Sequence, residues 1–113
     1  ITQVINNNNL FLLLDIAHAM VTSHNKKIGY DQYISTLPLD KLIQLHICQP
    51  ELPEGGIARD THNEPNDEMY LEVMRLIKKH PTIKYLTIEY YKDKDILIGS
   101  IKKLRQLIGS VNC

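Results

Sequence analysis

Leu10-Phe11-Leu12-Leu13-Leu14-Asp15 decides the fold class of this chain: five apolar residues run without interruption into a carboxylate. An unbroken apolar run, rather than alternation, is the pattern of a strand buried on both faces in a parallel sheet. Two further runs share the form. Leu42-Ile43-Gln44-Leu45 leads into His46, and Tyr85-Leu86-Thr87-Ile88 leads into Glu89. They predict strands over 10–15, 42–48 and 83–89.

Between the runs the signals are helical. Residues 16–25 suit a short helix, Gly29 breaks the chain, and Tyr30 to Thr36 suit another, stopped by Pro38. The clearest helix opens with Pro65 at its first position. Asp67 and Glu68 in the first turn and Lys78, Lys79 and His80 in the last complement the helix dipole. Tyr70, Val73, Met74 and Ile77 form its apolar face, and Pro81 ends it. A last helix is predicted over 95–109, with Leu97, Ile101, Leu104 and Ile108 inward, Lys102, Lys103 and Arg105 outward, and Gly109 as its stop. Residues 49–64, with Pro53, Gly55 and Gly56, read as a long loop, of a length that is usually functional or mobile. Residues 1–9, with asparagine at 6–9, read as a polar end or loop.

Strands alternating with helices imply an α/β fold with parallel strands and right-handed crossovers. Three strands leave two bare sheet edges. Residues 10–113 are therefore read as the C-terminal half of a larger (β/α) barrel whose N-terminal half is absent. A start at Ile1-Thr2-Gln3 without Met fits a fragment. A homodimer through the open sheet edge is the other way to cover it.

Composition narrows the partners. Thirteen basic residues balance thirteen acidic ones, so charge gives no reason to expect nucleic acid or an anionic membrane surface. No apolar stretch approaches the about 20 residues of a membrane span. No signal peptide is visible, and Cys48 and Cys113 make no CxxC or zinc-ribbon spacing. A cytoplasmic setting is expected.

The chemistry gathers where the runs end. In parallel α/β barrels the reactive side chains stand at the C-terminal ends of the strands. Asp15, His46 and Glu89 all hold that place, and His18 follows Asp15 by three residues. Asp60-Thr61-His62 puts two more ligand types two residues apart, on one side of an extended segment. Each has a plainer role: Asp15 as a helix N-cap, His18 on a helix surface, His46 as a hydrogen-bonded core residue. Asp60 and His62 suit a solvated loop, and Glu89 suits a buried ion pair with a lysine. The recurrence at strand ends favours one shared site. Oxygen and imidazole donors suit iron, manganese or zinc in a catalytic centre, and six donors exceed what one ion with open positions needs. His24, His80, Tyr90 and Tyr91 read as structural.

LLLDIAH (12–18), LPLDKLIQLHI (37–47), DTH (60–62) and TIEYY (87–91), in this order, resemble the multinuclear non-haem iron-dependent oxidative enzymes, the family of the methanobactin biosynthesis enzyme. The resemblance runs from about residue 10 to 108. It implies the C-terminal part of a xylose-isomerase-like barrel that holds two or three iron ions when complete. It further implies oxygen-dependent reworking of a cysteine in a ribosomally made precursor peptide, beside a small partner protein that recruits the peptide. By motif matching, Asp15, His18, His46, Asp60, His62 and Glu89 are the metal positions. Many members carry Asn near the place of His18, and Cys48-Gln49 stands where a glycine often follows the strand histidine. Without the family's N-terminal ligands, the 113 residues alone are expected to bind iron poorly and to be inactive. Two other readings remain: a zinc- or manganese-dependent barrel acting as a sugar isomerase or an endonuclease, and a non-catalytic half-barrel or interaction module.

Overall fold

A computed structural model of the protein describes residues 2–111. Cys113 lies outside them. The chain runs through α1 (Thr2–Asn7), β1 (Leu12–Asp15), α2 (Ile16–Asn25), α3 (Tyr30–Ile34), a 3₁₀ turn (Leu39–Lys41), β2 (Leu42–Ile47), β3 (Gln49–Glu51), β4 (Arg59–Asn63), α4 (Asp67–Lys79), β5 (Tyr85–Ile88) and α5 (Lys94–Val111). β1, β2 and β5 form one parallel sheet in that order, so β2 is central. Helical segments lie between successive strands of this sheet, as the alternation of runs predicts.

The register sets the function-bearing edge. Asp15 lies opposite His46, and His46 opposite Thr87. Glu89 donates its N–H to Ile47 O at 2.8 Å, one residue past the end of β5. The three run-ending residues are therefore neighbours along one edge of the sheet. Its two faces differ. Leu14, Leu45 and Ile47 are buried in one cluster with Ile16 of α2, Val73 and Leu76 of α4 and Leu104 of α5. On the other face Leu13, Gln44 and Tyr85 share a row, with Leu13 44% and Tyr85 58% exposed. Burial of the first run on both faces is thus not observed; Phe11 and Leu13 are open to solvent.

Five other expectations change. Residues 1–9 are not a loop throughout: Ile5 is buried in the core, and that anchor holds α1 until Asn9 turns the backbone with φ +54°. The stretch 49–64 contains an antiparallel pair, Gln49 with Asn63 and Glu51 with Arg59. It is joined by a turn in which Gly55 takes φ +71° and Gly56 N–H bonds Pro53 O. Gly supplies that left-handed conformation without steric cost.

The helices also shift. α4 begins after Pro65, not on it: Asn66 is the N-cap, its side chain accepting from Met69 N–H at 3.0 Å. Its deepest residues are Met69, Tyr70, Val73 and Leu76, while Met74 and Ile77 are half-buried. The apolar stripe is wide enough that both rows are apolar, and the sheet takes the Met69–Leu76 side. α5 runs past Gly109, which lies inside the helix with nothing near its missing Cβ.

Candidate metal centre

Asp15 ends β1 and opens α2. Its Oδ1 accepts the His18 N–H at 2.9 Å, a side-chain N-cap, while Oδ2 lies 3.5 Å from His18 Nδ1. The cap thus uses one oxygen, and the other faces the donor cluster. His18, in the first turn of α2 and 68% exposed, turns its Nε2 to Asp60 Oδ2 at 3.2 Å.

His46 points its Nδ1 at Glu89 Oε1. Its Nε2 meets the Gln44 side-chain amide at 3.2 Å, and that amide also bonds Thr87 Oγ1 at 3.1 Å. Gln44 is two residues before His46, on the same side of β2. An amide can donate to or accept from an imidazole nitrogen, so Gln44 is placed to fix the ring's orientation and tautomer.

Asp60 and His62 come in on β4, whose position is fixed from both ends. Asn25, at the end of α2, makes two bonds to Ala58: Ala58 N–H to Asn25 Oδ1 at 2.7 Å and Asn25 Nδ2 to Ala58 O at 3.2 Å. His24 Nε2 meets Gly56 O at 3.0 Å. From the other side Lys92 donates to Thr61 O at 3.2 Å and Asn63 Oδ1 at 2.6 Å. His62 has φ +49°, a left-handed backbone uncommon for a side-chain-bearing residue. β4 is thus irregular at His62, yet Asp60 and His62 still meet: His62 Nε2 lies 3.4 Å from Asp60 Oδ2 and 3.5 Å from Glu89 Oε2. Tyr91 stands edge-on to the His62 ring, centroids 6.2 Å apart.

All six sequence-predicted donors therefore meet in one cluster. They form overlapping groups, each with one donor atom per residue within 4.8 Å: Asp15, His46 and Glu89; Asp15, His18 and Asp60; and a third, Cys48, Asp60 and His62. Asp15 and Asp60 each belong to two groups. Glu89 pairs with His46 and His62, not with a lysine as in its plainer role. Among the described residues, every ion pair of Asp15, Asp60 and Glu89 is with a histidine. Three partly buried carboxylates facing neutral-capable imidazoles, with no fixed cation among their partners, fit divalent metal ions.

Three contributors are not among the donors predicted from sequence. Cys48 is 1% exposed, and its Sγ donates to Asp60 Oδ1 at 3.5 Å. Burial first, then the charge of Asp60, pushes its thiol up. Its signal was its place two residues after His46 on the same strand side. Gln44 had the same signal two residues before. Tyr91 had none. Tyr90 is buried and its hydroxyl is pushed up by burial, in keeping with a packing role. No helix among the described residues is long and apolar enough to cross a membrane.

Among curated proteins, none matches this chain. The model of the family described as RiPP precursor modification enzyme MbnB/TglH/ChrH matches residues 1–107, a span that includes every donor in the cluster, and the chain belongs to that family.

Proposed function

We propose that this chain contributes the C-terminal half of a xylose-isomerase-like (β/α) barrel that oxidises a cysteine of a ribosomally made precursor peptide, with Asp15, His18, His46, Asp60, His62 and Glu89 holding a multinuclear iron centre. One observation carries the reading: donors from β1, α2, β2, β4 and the end of β5 gather at a single sheet edge in overlapping groups that share Asp15 and Asp60. Shared carboxylates are what a centre of more than one ion requires, because an anionic oxygen pair can serve two cations at once. The exposed Leu13–Gln44–Tyr85 row supports the barrel, since in such a barrel that face lines the interior.

Iron, when bound, supplies redox chemistry with oxygen. The chain's own side chains hold it, orient the imidazoles through Gln44 and Asp60, and leave the exposed His18 side open to a peptide. A small protein that recruits the peptide, a cytoplasmic location and inactivity of the 113 residues without the remaining strands belong to the same proposal. The test is elemental analysis of the full-length protein, purified without oxygen, beside an Asp60→Ala/His62→Ala double variant. Two or three irons per chain, lost in the variant, support it. Zinc, manganese or no metal at all moves the assignment to the isomerase-like or the non-catalytic reading.

A further inference from the structure

Cys48 follows β2 directly, and alternation along the strand sets residues 44, 46 and 48 on one side. A buried free thiol ordinarily behaves as a small apolar group. This one faces a carboxylate: its Sγ lies 3.5 Å from Asp60 Oδ1, and the other oxygen of Asp60 lies 3.4 Å from His62 Nε2. The sulfur, an Asp60 oxygen and a His62 nitrogen fall within 4.8 Å of one another. A tetrahedral ion bound at about 2.0–2.3 Å holds its donors about 3.3–3.8 Å apart. The two Asp60 separations, one to each oxygen, are of that size, and the sulfur and the His62 nitrogen lie within 4.8 Å. The half-exposed edge of His62, 34% open, gives an ion its way in.

We propose that Cys48, Asp60 and His62 form a thiolate-containing site for a borderline divalent cation of the zinc, cobalt or ferrous class. The proposal rests on the reading of the cluster as a metal centre and adds to it a sulfur donor that the six-residue set lacks. Thiolate with imidazole and carboxylate selects such ions over magnesium or calcium, which prefer oxygen alone. Binding forms one metal–sulfur bond and breaks the S–H bond, and the proton leaves to solvent without any change of oxidation state.

Cobalt(II) is the probe, because its spectrum reports sulfur ligation directly. In a Cys113→Ser background Cys48 is the remaining thiol. Cobalt added to this protein under argon is expected to give both visible d–d bands and a near-ultraviolet sulfur-to-metal charge-transfer band. Cys48→Ser in that background is expected to lose the charge-transfer band and to bind cobalt about tenfold or more weakly. The band of the Cys113→Ser parent reads the Cys48 sulfur even if that variant folds poorly. Cobalt bands without charge transfer overturn the Cys48 assignment and leave the six-residue centre standing. No cobalt uptake overturns the Cys48 assignment, while the six-residue centre is judged separately by the metal content of the full-length protein.

Discussion

Replacing Asp15 by alanine removes the observed helix cap and the proposed metal ligand, which use separate oxygens. Oδ1 caps α2 through the His18 N–H at 2.9 Å, and Oδ2 faces the donor cluster. Loss of a side-chain N-cap costs about 1 kcal/mol, within a range of about 0.5–2. For a domain of this size that corresponds to about 3–6 °C in Tm. Asp15→Asn keeps the cap, since Asn is as good an N-cap as Asp, but weakens the ligand. Thermal unfolding of the metal-free protein, followed by circular dichroism, should therefore show Asp15→Ala well below wild type and Asp15→Asn close to it. Metal uptake should fall in both, and by more than in His18→Ala, because Asp15 belongs to two donor groups and His18 to one. An Asp15→Asn protein that melts as low as Asp15→Ala refutes the capping assignment. One that takes up metal as wild type does refutes the ligand assignment.

Four further outcomes are expected. Leu45→Ala, fully buried in the central strand, should lose about 2–5 kcal/mol in urea unfolding; a smaller loss means that β2 is not the centre of the core. Gln44→Ala should leave the metal-free melting temperature nearly unchanged but weaken metal binding about 10–100-fold, as loss of a ligand's supporting partner does; equal affinity in an isothermal titration contradicts its positioning role. Tyr30→Phe removes a 2.6 Å bond to the Glu72 carboxylate and should cost about 1.5–3 kcal/mol at neutral pH. The fourth concerns pH. Burial, with Lys79 and Arg75 nearby, holds His80 below its usual 6.5, and its Nε2 is buried without a partner. The unfolded chain then binds the proton more readily, so stability rises with pH through this window and falls as pH drops below 6.5. His80→Gln should flatten the dependence of urea midpoints between about pH 7 and 5. An unchanged slope rules out His80 as a contributor.

The opening run, the His46 run and the Glu89 run carried the strands and their parallel arrangement, because apolar length and the spacing of helical stripes are local properties. The same locality explains the misses. α1 forms because Ile5 finds the core, a fact of packing that a row of asparagines conceals. The β3–β4 pair forms because Gln49 and Asn63 meet across a turn, and neither short segment alone has a strand's pattern. Asn66 rather than Pro65 starts α4 because the cap is a side-chain bond to Met69 N–H, and a bond is visible only once the backbone has turned.

The sequence by itself determined which donors stand at strand ends: Asp15, His46 and Glu89 each close an apolar run, and parallel strands point those ends the same way. Tertiary structure alone decided how the donors are shared. Asp60 reaches His18, His62 and Cys48 because Asn25 and Lys92 hold β4 against the sheet edge. His62 reaches Glu89 because its backbone turns left-handed. Cys48 joins the cluster only because the chain folds back between residues 48 and 60, bringing a thiol and a carboxylate into contact across twelve residues. Periodicity is written along the chain, whereas donor-to-donor distances of 3–4 Å arise from the register between segments remote in sequence.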